Sequence, residues 1–216
     1  TTILGFAHTG KGHWNLCHVP ILPVTGRVNP VDYASPFRHD RESAHPGYYQ
    51  VFLDRYRVNV ELTATLRCAF HRYTYSPEDE KKVLVDITRS NNNVREWSIA
   101  KDGPYSFSGS QWGDGKIYFY AVTNYEIDGI TQLQGISRRR GGAGQGPGKA
   151  NLESEMLSSS FDEVRTSADG IWEKLLSRIT VKGGTERQKD LFYSTFYRSF
   201  LWPCLRSDVN GEYTDV

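Results

Sequence analysis

Hydrophobic and polar positions alternate with a period of two through much of the first 125 residues, which is typical of β-strands. The longest such run is Val58–Phe70, thirteen residues in which the even-numbered positions are apolar. A half-buried antiparallel strand produces this alternation because successive side chains point to opposite faces of the sheet. The run therefore predicts one long strand whose core side includes Leu62, Leu66 and Phe70.

Shorter apolar runs on both sides of Val58–Phe70 extend the β prediction. Turn-forming residues such as Ser76-Pro77-Glu78-Asp79 and Asp102-Gly103-Pro104 separate these runs,. Many strands separated by turns at this spacing are typical of a sandwich or a barrel. The further strands predicted are Tyr48–Leu53, Val83–Thr88, Tyr105–Phe107 and Lys116–Thr123.

The pattern changes after a glycine-rich stretch, Arg138–Lys149, which cannot build a core and predicts a loop or linker,. Ser160–Glu163 is a capping box, and apolar residues follow it at steps of three and four as far as Ile179,. A second capping box, Thr185–Gln188, precedes a phenylalanine-rich stripe that Pro203 ends,. Two helices are therefore predicted after the strands.

These patterns predict a mainly β fold, an antiparallel β-sandwich followed by two C-terminal α-helices. The predicted domains are a sandwich at residues 1–156, which begins inside apparent structure, and linker helices at residues 157–216.

Composition removes several classes of function. The 216 residues include 26 basic and 25 acidic side chains. The resulting net charge of +1 is too small to favour general binding to nucleic acid,. No apolar run approaches the roughly 20 residues that a membrane span needs. Three cysteines do not make a disulfide scaffold,. Aromatic residues make up 13% of the chain, which suits a β-sandwich, a carbohydrate-facing surface, or both,.

A glycine-flanked segment near the N-terminus offers a candidate sugar site at His13, Trp14 and Asn15. Gly10 and Gly12 allow the backbone to turn sharply,. A flat ring beside hydrogen-bonding groups suits the face of a pyranose. The alternative is that Trp14 is a buried core residue and the histidines are ordinary loop residues. No pair of carboxylates stands out for glycoside hydrolysis, so no catalytic residue is predicted within the chain.

Several stretches, in this order and spacing, resemble glycoside hydrolase family 92, the exo-acting α-mannosidases. The stretches that carry the resemblance most clearly are Gly5-Phe6-Ala7-His8-Thr9, Tyr33-Ala34-Ser35-Pro36-Phe37-Arg38-His39-Asp40, Glu61-Leu62-Thr63-Ala64-Thr65, Phe161-Asp162-Glu163-Val164-Arg165 and Ser207-Asp208-Val209-Asn210-Gly211-Glu212-Tyr213. The Arg138–Lys149 tract departs from the family, which usually has a strand there.

The resemblance implies an N-terminal β-sandwich of the supersandwich type, linker helices and a following (α/α)₆ barrel. It implies Ca²⁺-dependent hydrolysis of terminal α-mannose in glycans, with inversion. The acid, the base and the Ca²⁺ ligands belong to the barrel and are expected beyond Val216, so the chain alone is predicted to be inactive. The expected partners are an α-mannoside glycan and the chain's own barrel. The expected location is periplasmic or extracellular.

By the same resemblance, the sandwich lends a loop that shapes the subsite of the leaving group. His13, Trp14 and Asn15 are the residues at that position. Two other functions remain open from the residues alone, a stand-alone carbohydrate-binding module and a scaffold domain without a sugar site. The predicted phenylalanine-rich helix favours the mannosidase, because a lone binding module has no need of it.

Overall fold

The structure is a computed structural model that describes residues 1–7, 17–90, 93–113, 115–133, 146–156, 158–201, 205 and 207–213. Within these residues the strands are β1 (Thr2–Ile3), β2 (Ile21–Val24), β3 (Ser35–Pro36), β4 (Glu42–His45), β5 (Tyr48–Leu53), β6 (Val58–Ala64), β7 (Ala69–Thr74), β8 (Lys82–Val85), β9 (Glu96–Gly103), β10 (Ser106–Trp112) and β11 (Lys116–Val122). The helices are α1 (Gly148–Glu155), α2 (Phe161–Leu176) and α3 (Glu186–Ser199), with a 3-10 helix at His39–Arg41.

The strands form antiparallel sheets, and the main core lies where the four-stranded sheet packs against β2 and β8. A four-stranded sheet has the order β4-β5-β6-β7, a three-stranded sheet the order β11-β10-β9, and β2 pairs with β8. Leu53, Val58 and Val60 of the four-stranded sheet are fully buried against Leu22 and Val24 of β2. Apolar side chains meet here because each strand presents alternate residues to one side. The antiparallel β-sandwich predicted from the sequence is confirmed.

Val58–Phe70 is a hairpin, so the prediction of one thirteen-residue strand is wrong. The chain turns between β6 and β7, where the Thr65 amide donates to the Cys68 carbonyl at 2.9 Å. Leu66 lies in this turn and is 65% exposed, so its predicted core position is also wrong. The alternation of apolar and polar residues continues through the turn, because Leu66-Arg67 contains no glycine, proline or asparagine that would have indicated one.

The outer face of the four-stranded sheet is covered by helices. Phe70 pairs with Thr63 in the β6–β7 register, which puts it on the face opposite to Leu62. There its ring lies 5.5 Å from that of Phe161 in α2, in a second core cluster. Thr63 is 5% exposed, although the alternation predicts it to point outward. A sheet face that a helix covers loses the polar and apolar contrast on which the prediction relied.

The two predicted helices are present with their caps. Ser160 and Glu163 form a capping box at α2, and Thr185 and Gln188 form one at α3. Each box satisfies amides that the first helical turn leaves without a partner. The apolar stripe was predicted to reach Ile179, but α2 ends at Leu176. Among the described residues, no helix is both long and apolar enough to cross a membrane.

Helix α1 was not predicted. Gly148 and Lys149, which were assigned to the glycine-rich loop or linker, form its first turn. A Cβ at Gly148 would lie 3.1 Å from the Tyr120 amide nitrogen of β11, so glycine allows the helix to approach the strand closely,. Residues 138–145 of the predicted linker lie outside the described residues.

Candidate functional site

The predicted sugar-binding residues His13, Trp14 and Asn15 lie outside the described residues. The structure does describe the chain on both sides of residues 8–16, which we call the N-terminal segment. The Phe6 amide donates to the Ile21 carbonyl at 2.8 Å, and the Ile21 amide donates to the Phe6 carbonyl at 2.9 Å. The chain before the N-terminal segment and the chain after it are therefore joined at the beginning of β2.

Gln111 of β10 contacts the chain that leads from the N-terminal segment to β2, which we call the returning chain. Its side chain is 1% exposed. Its Oε1 accepts from the Val19 amide at 3.4 Å and lies 3.2 Å from His18 Nδ1. Its Nε2 donates to the carbonyls of Ile87 at 2.8 Å and Arg89 at 3.0 Å. One buried amide thus joins the returning chain to the segment that follows β8.

The backbone of the returning chain is strained. Cys17 has a φ of 72° and Val19 a φ of 49°, both in the left-handed region. Residues other than glycine rarely occupy this region, and β-branched residues such as valine occupy it least readily. Each such residue costs about 1–3 kcal/mol and persists only where its surroundings fix it. The contacts of Gln111 are therefore placed where the chain needs external support.

A second polar cluster lies next to this support, around Asp86. The Asp86 amide donates to the Pro20 carbonyl at 3.0 Å, and its carboxylate accepts from the Tyr33 hydroxyl and from Arg89 Nε. Tyr33 is 4% exposed. Burial and the bond to Asp86 raise the pKa of Tyr33 well above its usual value,. Tyr33 therefore remains a neutral donor, which suits a scaffold that holds β2 and the segment after β8 together.

An ion-pair network fixes α2 to the sandwich. Arg72 donates to both Glu61 carboxylate oxygens, at 2.7 and 2.9 Å, and to Asp162 of α2 at 3.0 Å. The Tyr48 hydroxyl adds a bond of 2.8 Å to Glu61. The Arg72 guanidinium, the largest influence, lowers the pKa of Glu61 below its usual value. The Arg165 guanidinium of α2 lies 3.8 Å from the centre of the Tyr48 ring,.

A further set of contacts joins the β6–β7 turn to α1. Glu155 accepts from Arg67 Nη1 at 2.8 Å, from the Arg67 amide at 3.0 Å and from the Thr65 hydroxyl at 2.5 Å. Burial raises the pKa of Glu155, but the bonds from Thr65 and Arg67 outweigh it, so the pKa lies below its usual value. A carboxylate with these donors is held in its charged form.

The β6–β7 turn and α1 also bind the chain that follows α3. Arg67 Nε donates to the Ser207 carbonyl at 2.8 Å. Asn151 of α1 is 7% exposed, donates to Asp208 Oδ1 at 2.6 Å and accepts from the Val209 amide at 2.8 Å. The β6–β7 turn, α1 and residues 207–209 therefore form one hydrogen-bonded unit, which we call the α1 junction.

Acidification should weaken both carboxylate networks. Glu61 and Glu155 have pKa values lowered from the ordinary 4.5, so their contribution to folding is complete above that pH and is lost as the pH falls through the lowered values,. We expect the free energy of unfolding, measured in urea, to fall below about pH 4.5. A Glu61→Gln, Glu155→Gln double variant should lose less on acidification. An equal loss in both proteins would contradict this assignment.

Within the described residues, no group of three or more histidine, cysteine, aspartate or glutamate side chains is arranged to hold a metal ion. The polar clusters around Gln111, Asp86, Glu61 and Glu155 instead pair acceptors with donors of the same chain. Their chemistry is that of positioning.

Gln111 is one of the residues in these clusters that sequence reasoning missed. Its partners lie 93, 92, 24 and 22 residues away along the chain. No local spacing reports such contacts. The sequence offers one weak signal, which is that a long primary amide stands near the end of the strand Ser106–Trp112, where the other polar residues are serines.

Family comparisons cover the whole chain. The family model for the glycosyl hydrolase family 92 N-terminal domain matches residues 1–165, and the model for the family 92 catalytic domain matches residues 148–216. No curated protein matches the chain in sequence.

Several solved structures share the fold. A family GH92 α-mannosidase from Bacteroides thetaiotaomicron in complex with mannoimidazole superimposes with a TM-score of 0.79 and 22% identity, over 92% of this chain and 33% of that one. A family GH92 inverting mannosidase from Bacteroides thetaiotaomicron VPI-5482 gives 0.69 and 21%, over 90% of this chain and 31% of that one. At such identities the likeness is one of fold. The chain spans about a third of the length of these solved chains.

Proposed function

The chain belongs to glycosyl hydrolase family 92, and on that premise we propose that it is the N-terminal, non-catalytic portion of an exo-α-mannosidase acting on terminal α-mannose of glycans. One observation carries the proposal. The family's N-terminal domain match is followed by a catalytic domain match that begins at residue 148, while the chain spans 33% of a solved α-mannosidase chain. The rest of the catalytic domain is proposed to follow α3.

Inverting hydrolysis needs an acid that protonates the leaving oxygen and a base that activates water on the opposite face of the sugar. We assign both, and the bound Ca²⁺ that would stabilise charge at the sugar, to the remaining catalytic domain. The residues described here contribute positioning. The networks at Glu61 and Glu155 hold α2 and α1 against the sandwich, and the α1 junction fixes the chain that follows α3.

The exposed side of the helices supports a missing neighbour. No residue of α3 is buried, and Leu191 is 67% exposed. Phe192, Phe196 and, just after the helix, Phe200 form a half-buried row along one side of α3, with neighbouring ring centres 5.9 and 4.9 Å apart. Among the described residues, Trp172 of α2 contacts this row only at Phe200, with ring centres 6.3 Å apart. An apolar helix side of this kind is stabilised by burial against another element. We propose that the chain's own (α/α)₆ barrel covers it; a stand-alone binding module gives no reason for it.

Mannose release by the full-length protein tests the proposed function. We expect release from terminal α-mannosides, with β-mannose as the first product by NMR, since inversion changes the anomeric configuration. Activity should fall on treatment with EDTA and return when Ca²⁺ is added. Absence of mannose release would contradict the activity, α-mannose as the first product would contradict inversion, and resistance to EDTA would contradict the metal requirement.

We also propose that the protein lies in the periplasm or outside the cell, and cell fractionation would test this location.

Trp14→Ala in the full-length protein should lower kcat/KM for a mannose disaccharide. Stacking of Trp14 on the leaving sugar would contribute about 1–2 kcal/mol, which corresponds to a roughly 5- to 30-fold loss. An aryl mannoside, with a different leaving group, should lose less. Trp112→Ala removes another tryptophan, 41% exposed on β10, and serves as the control. Equal losses on both substrates would mean that Trp14 is a core residue.

A further inference from the structure

We propose that Asn151 of α1 is a positioning residue that places the first part of the catalytic domain against the sandwich, an inference that rests on the proposed function for its effect on mannose release. Helix α1 lies in both family matches, because the N-terminal domain match runs to residue 165 and the catalytic domain match begins at residue 148. Its contacts divide in the same way. Glu155 binds the β6–β7 turn of the sandwich, whereas Asn151 binds Asp208 and Val209, which lie in the catalytic domain match alone.

Helix α1 is held firmly on the sandwich side. Met156, directly after the helix, packs with Cys68 in the second core cluster, and Leu152 packs against the same cluster. The Glu155 carboxylate adds its ion pair with the β6–β7 turn. Because packed side chains of this kind resist displacement, Asn151 has a fixed position relative to the sandwich.

The chain that Asn151 binds is a closed turn at residues 208–212, which we call the Asp208 turn. The Asp208 amide donates to the Glu212 carbonyl at 2.8 Å, and the Gly211 amide donates to the Asp208 carbonyl at 3.0 Å. Gly211 has a φ of 86°, in the left-handed region that favours glycine,. These internal bonds join the two ends of the turn, so a contact at its first two residues influences the placement of the whole turn.

A primary amide satisfies both groups that face this position of α1. The Asn151 oxygen accepts from the Val209 amide at 2.8 Å, while its nitrogen donates to Asp208 Oδ1 at 2.6 Å,. Asn151 is 7% exposed, so water offers little replacement for a lost bond,. A carboxylate here would still accept from the Val209 amide but would meet the Asp208 carboxylate without a hydrogen between them. Arg67 Nε adds a neighbouring bond to the Ser207 carbonyl, so Asn151 directs the turn together with Arg67.

Hydrogen exchange of the Val209 amide measures the placement of the turn in the full-length protein. We expect Asn151→Asp to raise the exchange rate about tenfold at neutral pH, the change that a lost buried hydrogen bond of ordinary strength produces. An Asn151→Asp, Asp208→Asn double variant exchanges donor and acceptor and should return the rate toward the wild-type value. Asn151→Ala removes both bonds without adding a charge, and it is measured as well so that one variant that fails to fold does not end the test.

Two controls separate positioning from a general loss of stability. Glu153→Gln changes the same helix at a pair with Lys149 that is nearly half exposed, and it should leave the Val209 amide unchanged,. The Val60 amide, in β6 between β5 and β7, should keep its exchange rate in every variant. Val209 exchange no faster in Asn151→Asp than in Glu153→Gln, no recovery in the double variant, or an equal acceleration at Val60 would overturn the positioning role.

Kinetics of the full-length protein provides the second arm. We expect kcat/KM for a terminal α-mannoside to fall about tenfold in Asn151→Asp and to recover in the double variant, because a displacement of about 1 Å far from the chemistry can cost up to about 100-fold in rate. Faster Val209 exchange with unchanged kcat/KM would overturn the link to the catalytic domain. A full-length protein without mannosidase activity would overturn the proposed function, while the exchange arm would still decide the role of Asn151.

Discussion

Replacing Leu53 by alanine is expected to lower the free energy of unfolding by about 2–5 kcal/mol, the usual cost of truncating a buried leucine. Leu53 is 0% exposed and packs in the main core beside Val51 and Val58. The removed atoms leave a space that neighbouring strands cannot fill, because hydrogen bonds on both sides hold β5 in register with β4 and β6,.

Leu66→Ala is the matched control, because it removes the same atoms from the β6–β7 turn. Leu66 is 65% exposed, so its truncation should change the free energy of unfolding by no more than about 0.5 kcal/mol,. Both values come from urea unfolding of the purified chain. A loss of several kcal/mol at Leu66 would restore the single long strand and refute the hairpin.

Glu155→Gln should lower the free energy of unfolding by about 3 kcal/mol, near the lower end for breaking a buried ion pair. The side chains of Glu155 and Arg67 are only 14% and 20% exposed. The substitution leaves the Arg67 charge without its carboxylate, in a place that also holds the Ser207 carbonyl. It therefore weakens the α1 junction as well as the ion pair.

Glu153→Gln on the same helix provides the comparison. Glu153 pairs with Lys149 at 3.8 Å, with both side chains nearly half exposed. Such exposed pairs contribute about 0–1 kcal/mol. Urea unfolding of the two variants should therefore differ by about 2 kcal/mol or more. Equal values would mean that Glu155 is no better shielded from water than Glu153.

The sequence predicted elements whose determinants are local. Both capping boxes lie within four residues, and each marks a helix that begins where it was predicted. The period-two alternation correctly gave the buried side of β6 at Val58 and Val60. It failed at Leu66, because a turn of ordinary residues leaves the alternation intact. The glycine-rich composition that predicted a loop at Gly148 and Lys149 failed as well, because it does not report the close approach of α1 to β11.

The candidate site was less accessible from sequence. The pattern around Gly10 and Gly12 drew attention to His13, Trp14 and Asn15, and their role stays a prediction. Gln111 was missed because its contacts are non-local and amides carry no motif. The strain at Cys17 and Val19 was equally invisible, since neither residue type signals a positive φ,.

Mannose release by the purified 216-residue chain, assayed beside the full-length protein on the same terminal α-mannoside, tests most directly whether this portion of a family 92 enzyme is non-catalytic. The reaction needs an acid and a water-activating base across the glycosidic bond, and both are assigned to the remaining catalytic domain. We therefore expect release from the full-length protein and none above the blank from the 216-residue chain. Release by the isolated chain would contradict the assignment.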